Sequence, residues 1–578
     1  MKELVKTLLR SIVVALFVLS SYGVRAGQAQ SSATRVTRLA DMFVTEYKRR
    51  FPIQVLYTGV RLEEQTGLDI NGPADLARWR LFVRRIETDL GKIAEGEVTG
   101  KPEWVTRAYL IAGIATARAE ETCRGELWDI GTFGWVFQLP TIVDAQPVMT
   151  AKDRREALVR WHGIAPWLDQ DLANLREGLR QGYAAYRAGV EGEISQIDSF
   201  IDAPYEQWPT TVLAKRARNP AFTLELNRIA DEEIRPAARR YRDFLKTVYV
   251  RQARTTPSTL TLPDGAACLR SRLAASLTVD VNPKEMFDML VARRRTERAR
   301  ILELARKAYD SPTLTWEAFG EKLRADPRDK YSSPDDVRTT YEGIIARARQ
   351  ALPRMVLTPP VGDILVIAGS GTDMYSPASD DGSHVATFLY AGPEGHREVA
   401  ESLAMHEIIP GHYLQDTVRA RAHAVPLHPI TRVVLVLGPM EGWATYAERW
   451  AAELGLYSGP FEEMGGLVNS LTPYAVAEMG MQVAGWSEDQ AGTYLRDEMP
   501  FDPPSGDKES VAAIVDFVGW PERYPIGAMQ YEALRKRVEG SLGTGFDSRS
   551  FHQMLLSDGP LPFCALGEKV ERWITTQH

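Results

Sequence analysis

Two histidines six residues apart, His406 and His412, enclose Glu407 and the pair Pro410-Gly411. At about 100° per residue, six steps along an α-helix rotate roughly 240°, so a straight helix would turn the two imidazoles to different sides. Proline removes a helical N–H and clashes with the preceding turn, while glycine admits unusual backbone angles. If both histidines serve one centre, the spacing predicts a distorted or interrupted helix that swings His412 back to His406. Six of the chain's nine histidines fall between residues 384 and 428, which makes this segment its most chemically loaded.

His-Glu-x-x-Pro-Gly-His carries the residue types of a zinc hydrolase. A catalytic zinc takes three histidine or carboxylate ligands, leaves a position for water, and works beside a glutamate that accepts the water's proton. His406 and His412 are therefore expected as ligands and Glu407 as the base. The third ligand should come from another helix. Gly438-Pro439 opens such a segment, with Met440, Ala444, Ala447, Ala451 and Leu454 as its apolar stripe and Glu441, Thr445 and Glu448 in line beside it. Carboxylates near a core face are costly unless they meet a cation or donors. Glu441 is assigned to the metal and Glu448 to a supporting place behind it, holding a ligand histidine. One Zn²⁺ per chain is expected.

Helical patterning dominates the rest. Asn282-Pro283-Lys284-Glu285 supplies an N-cap, a proline at the first helical position and a glutamate at the third. Helix is also predicted near 76–94, 103–120, 152–190, 224–250, 335–351 and 395–409. Extended runs are few: Val356-Leu357, Ile364 to Ile367 and Thr387 to Tyr390. The fold class is mainly α with a small β element. The punctuation from Thr255 to Gly265 divides the chain into an N-terminal helical lobe, 27–255, and a lobe carrying the metal site, 256–578.

With 69 Lys and Arg against 76 Asp and Glu the chain is acidic, which argues against nucleic acid as a partner. Lys2, Lys6 and Arg10, the apolar run Ser11 to Gly23 and Val24-Arg25-Ala26 have the layout of a signal peptide, 1–26, with Ala29 as a second cleavage point. No later stretch has the ~20 apolar residues of a spanning helix. A periplasmic or secreted protein without a stable membrane span is expected. Cys123, Cys268 and Cys564 allow at most one internal disulfide, whose pairing stays open.

His406-Glu407-x-x-Pro410-Gly411-His412-x-x-Gln415, followed by Glu441-Gly442-Trp443-Ala444-x-Tyr446-x-Glu448, resembles the pattern of a large bacterial family known as a domain of unknown function. It is similar to that of the helical zincin metallopeptidases, and Glu-Gly-Trp-Ala resembles the segment whose glutamate binds metal in zinc aminopeptidases. The resemblance covers most of the chain and includes Asn282-Pro283-x-Glu285 and Tyr375-x-Pro377. It implies a large helical zincin-like metallopeptidase fold, two lobes around a cleft, and hydrolysis. Two departures stand out. Tyr413 occupies the place of a second histidine after Pro-Gly, and Pro525-Ile526-Gly527-Ala528-Met529-Gln530-Tyr531 lacks the family's Gly-Gln pair. Tyr531 remains and is a candidate for the oxyanion, although an ordinary core tyrosine is the favoured reading. Arg523 is a candidate for a substrate carboxylate and His384 for the cleft, while His396, His423 and His428 read as surface or structural. The function expected is zinc-dependent hydrolysis of short peptides. The alternatives are a non-peptide amide or ester hydrolase using the same site, and an inactive peptidase-derived binding protein. Oligomeric state stays open.

Overall fold

The computed structural model describes residues 31–577, excepting 57, 59, 61, 132–133, 360–361, 369–373, 379–384, 391, 393–394, 424–425 and 500–506. Residues 1–26, expected from sequence to be a signal peptide, and His384 lie outside the described residues. α-Helices dominate, as the patterning predicts. Those that matter for the site are α1 (Ser32–Arg50), α2 (Pro102–Cys123), α3 (Gly265–Leu277), α4 (Pro283–Ala308) and α5 (Pro334–Met355). After three short strands come α6 (Ala400–Glu407), α7 (His412–Ala422), α8 (Leu437–Glu453), α9 (Pro460–Val468) and α10 (Arg523–Leu542).

Local chemistry explains the boundaries. Asn282 caps α4 by accepting from the Lys284 and Glu285 N–H groups, with Pro283 in the first turn. The segment 152–190, patterned as one helix, is two. Ala151–Gln181 ends at Gly182, whose φ of 86° turns the chain left-handed, and a second helix starts at Arg187. The segment 224–250 stays helical but widens into π turns at Ile229–Ile234 and Leu245–Tyr249. Pro236 lies just beyond the first of these and lacks the N–H that a regular α turn would use.

The strands β1 (Leu365–Ala368), β2 (Met374–Ser376) and β3 (Thr387–Tyr390) form one small sheet. β3 is central, parallel to β1 with Val366 opposite Phe388, and antiparallel to β2 with Tyr375 opposite Phe388. Phe388 is buried against Tyr341 of α5, their ring centroids 4.8 Å apart. Val356 and Leu357 are not a strand. Val356 caps the end of α5 and Leu357 is exposed.

One large core draws on distant parts of the chain. Phe43 of α1 and Tyr109 of α2 share it with Met405 of α6, Trp443 of α8 and Tyr531 of α10. A second core, around Trp135, Trp161, Trp208 and Tyr241, lies within residues 53–253. α8 and α10 cross with backbones almost touching. A Cβ on Gly442 would lie 2.5 Å from Gly527 Cα, so neither position has room for a side chain.

Cys123, at the end of α2, and Cys268, in α3, form a disulfide across 145 residues of sequence, and Cys564 is free. Such a link narrows the unfolded ensemble by closing a long loop. Thiol titration of the native protein is expected to find Cys564 alone. The double change Cys123→Ser/Cys268→Ser is expected to lower the urea-unfolding free energy by about 2–5 kcal/mol. An unchanged midpoint under reducing conditions would contradict the bridge.

Candidate metal centre

α6 stops at Glu407. Ile408 leaves the helix with φ −119° and ψ −85°, and after Pro410 the chain folds back so that α7 begins at His412. The return is tight: a Cβ on Gly411 would lie 1.6 Å from the His406 carbonyl oxygen. Only glycine fits, and the interrupted helix is the form the six-residue spacing requires. The Trp443 indole N–H donates to the carbonyls of Pro410 and Gly411 at 3.1 and 3.2 Å, tying the turn to α8.

This turn sets the two imidazoles 5.1 Å apart and perpendicular. Glu441 Oε2, from the first half of α8, lies 3.4 Å from His406 Nε2 and 3.6 Å from His412 Nε2. His406, His412 and Glu441 each offer one donor atom, all within 4.8 Å of one another, and can hold one metal ion. Glu448, two turns along α8, accepts from His406 Nδ1 at 2.8 Å and from Ser402 Oγ at 2.7 Å. That contact leaves Nε2 as the nitrogen facing Glu441, the arrangement in which a carboxylate orients a ligand histidine.

The electrostatics call for positive charge. Burial pushes His406 towards its neutral form, but hydrogen bonds to Glu441 and Glu448 outweigh it and hold the imidazole well above its usual range. Burial likewise opposes ionisation of Glu441, yet its contacts with His406 and His412 keep the carboxylate far below the ordinary value. Among the described residues the ion-pair partners of Glu441 are these two imidazoles. A divalent ion held among the three would meet the same demand.

The centre opens on a cavity of about 420 Å³ lined by His406, Glu407, Thr445, Glu448 and Tyr524. Glu407 accepts at 3.0 Å from the backbone N–H of Tyr375 in β2, so the small sheet steadies this carboxylate. The lining also carries arginines already committed to carboxylates. Arg293 pairs with Glu532 at 3.0 Å, Arg449 with Glu297 at 3.0 Å, and Arg300 with Glu463 at 2.6 Å.

A model of the family described as bacterial protein of unknown function, DUF885, matches residues 52–570. The chain belongs to the DUF885 family. No curated protein matches it. Two solved structures share the fold. A "putative lipoprotein" from Colwellia psychrerythraea is 17% identical with a TM-score of 0.83, over 95% of this chain and 100% of that one. A "putative lipoprotein of unknown function" from Shewanella oneidensis is 16% identical with a TM-score of 0.73, over 93% and 99%. The DUF885 match spans every residue of the centre.

In this DUF885 chain Tyr531 does not face the centre. It is buried in the core 5.6 Å from the Trp443 ring, and its hydroxyl donates to the Pro439 carbonyl at 3.0 Å. The oxyanion assignment of Tyr531 is thereby corrected to a core tyrosine. Tyr524, missed in the sequence, is the tyrosine of this helix that borders the centre. It lines the cavity and stacks on His406 with ring centroids 6.0 Å apart. Burial and then the nearby charge of Glu441 raise its hydroxyl, which stays protonated and able to donate. Tyr524 and Tyr531 are seven residues apart on α10, so they share a helix face, and that spacing was the available signal. Arg523 is buried and its Nε donates to Ser276 Oγ at 2.8 Å, which leaves less of its fork for a substrate.

Gly411→Ala is expected to destabilise the protein by at least about 3 kcal/mol, because a methyl group must displace backbone rather than a side-chain tip. Gly567→Ala, in a helix and with open space around it, should change stability by less than about 1 kcal/mol. Equal urea midpoints for the two variants would contradict the tight return at 411.

Proposed function

We propose that the chain is an exported zinc-dependent hydrolase of short peptides. The observation that carries this reading is the convergence of His406, His412 and Glu441 beside a cavity on which Glu407 also lies. Two nitrogens and one carboxylate oxygen are a donor set of the kind zinc takes in hydrolases. When bound, zinc would act as a Lewis acid and make a water acidic enough to deprotonate near neutral pH. Likeness of the motifs to the helical zincin peptidases supports the same reading.

The residues divide the work. Glu407 accepts the proton of the attacking water as its oxygen bonds to the scissile carbonyl carbon, and passes that proton to the amine nitrogen as the C–N bond breaks. The β2 N–H at Tyr375 holds Glu407 in place without taking its second oxygen. The Tyr524 hydroxyl, kept protonated by its surroundings, donates to the negative charge that grows on the carbonyl oxygen. Glu448 fixes His406 from behind and stays out of the chemistry. β2 is an edge strand in the sheet order and borders the centre, and such an edge can pair with an extended peptide backbone. Export is supported by the Cys123–Cys268 disulfide and by the description of the two solved neighbours as lipoproteins.

Glu407→Gln should retain the zinc and the fold while kcat on a dipeptide library falls by about 10²–10⁴. Glu441→Gln should bind one zinc fewer per chain than the unaltered protein. Tyr524→Phe should keep the metal but lower kcat by about 10–10³, whereas Tyr531→Phe should leave kcat within about threefold. Chelator-insensitive turnover, or a Glu407→Gln one zinc short beside an inactive Glu441→Gln with its full zinc content, would overturn the assignment.

A further inference from the structure

Upstream of α6 lies a second set of donor side chains that the proposed chemistry does not use. Asp329 closes the 3-10 turn Pro327–Asp329, while His396 precedes and Glu398 sits within the turn Arg397–Val399. Each offers one donor atom, and the three atoms lie within 4.8 Å of one another. His396 Nδ1 is 2.7 Å from Asp329 Oδ2 and 3.7 Å from Glu398 Oε1. The side chains of Asp329 and Glu398 are only 4% and 5% exposed, whereas His396 is 51% exposed.

Two buried carboxylates side by side need positive charge, and the protein supplies little of it. Glu398 Oε2 is buried with no hydrogen-bond partner. Lys330 Nζ reaches Asp329 Oδ2 only at 3.7 Å, from an exposed side chain. The neighbouring arginines are engaged elsewhere: Arg397 pairs with Asp336 at 3.0 Å and Arg328 with Asp326 at 2.6 Å. Leaving carboxylates desolvated without a cation or donors is costly, and one divalent ion would balance both.

We infer that Asp329, His396 and Glu398 form a second divalent-cation site, structural in role, that fastens the start of the metal-centre helix to the 327–329 turn. One imidazole nitrogen with two carboxylate oxygens suits zinc or manganese better than calcium or magnesium, which favour all-oxygen sets. The half-exposed face at His396 leaves room for water to complete the coordination. The site has mechanical reach because Glu398 is built into the backbone packing. Its N–H donates to Asp329 Oδ1 at 3.3 Å, and its carbonyl oxygen would lie 1.8 Å from a Cβ on Gly465 of α9. Two residues later α6 begins and runs to His406 and Glu407.

The test removes the first centre and asks what metal remains. The full mature chain carrying His406→Ala/His412→Ala is stripped with chelator, dialysed separately against ZnCl₂ and MnCl₂, and analysed for metal content and Tm. About one ion of zinc or manganese per chain and a raised Tm are expected, both abolished when His396→Ala is added. His396 is half exposed, so its loss opens no core cavity, and Glu398→Gln, which keeps the side-chain shape, should give the same loss. If the double variant does not fold, the wild type is compared with His396→Ala alone, and a drop of one bound ion is expected. No ion in the folded double variant, or equal metal content with and without His396, would overturn the inference. Metal lost on changing His406 or His412 reports on the first centre, and metal lost on changing His396 reports on this one, so the two readings fail separately.

Discussion

The centre depends on a reversal of the chain over four residues, where Gly411 lies against the carbonyl of His406. An α-helix cannot present positions six apart to one point, and a looser turn would separate the imidazoles beyond a shared ion. The close contact removes that freedom. The Trp443 indole then secures the turn: wholly buried, it meets its donor requirement at the carbonyls of Pro410 and Gly411. Trp443 is two residues from Glu441, so the contact that holds the turn also delivers the carboxylate. The geometry of the centre is inherited from the packing of the core beneath it.

Much of this was legible because the relevant constraints are local. The angular misfit of six residues and the breakers between them predict an interrupted helix, and the i, i+7 relation of Glu441 and Glu448 on one face predicts that both reach the histidines, where Glu441 lies between the two imidazoles and Glu448 behind His406. What the sequence hid is depth. Tyr524 and Tyr531 share a face of α10, but only the tertiary neighbours decide that Tyr531 enters the core against Trp443 while Tyr524, the second residue of the helix, meets His406. The disulfide was hidden for a similar reason, since α2 and α3 meet across 145 residues. The π turns before Pro236 show a local rule acting late: the proline relieves its missing donor by widening the helix instead of ending it.

Charge is handled differently in two places around the cavity. Around the histidines the carboxylates Glu441 and Glu448 converge on imidazoles and call for a cation. Beside them Arg293, Arg449, Glu297 and Glu532 satisfy one another in a closed network. Such a network is rigid when complete and costly when broken. The wall therefore offers shape and oriented hydrogen-bonding groups in place of loose charge, while the reactive side keeps its demand for positive charge concentrated at one point.

The near-contact of Gly442 and Gly527 has a consequence for how such a protein can diversify. Glu441 precedes one of these glycines and Tyr524 stands three residues before the other, so ligand and hydroxyl ride on helices whose backbones rest on each other. No intervening side chain can be enlarged or trimmed to shim that gap, which makes it a fixed gauge within the molecule. Variation in what the cavity admits must then be written in the α4 and α9 walls, and attempts to retune it by redesign are best directed there, away from the crossing that positions Glu441 and Tyr524.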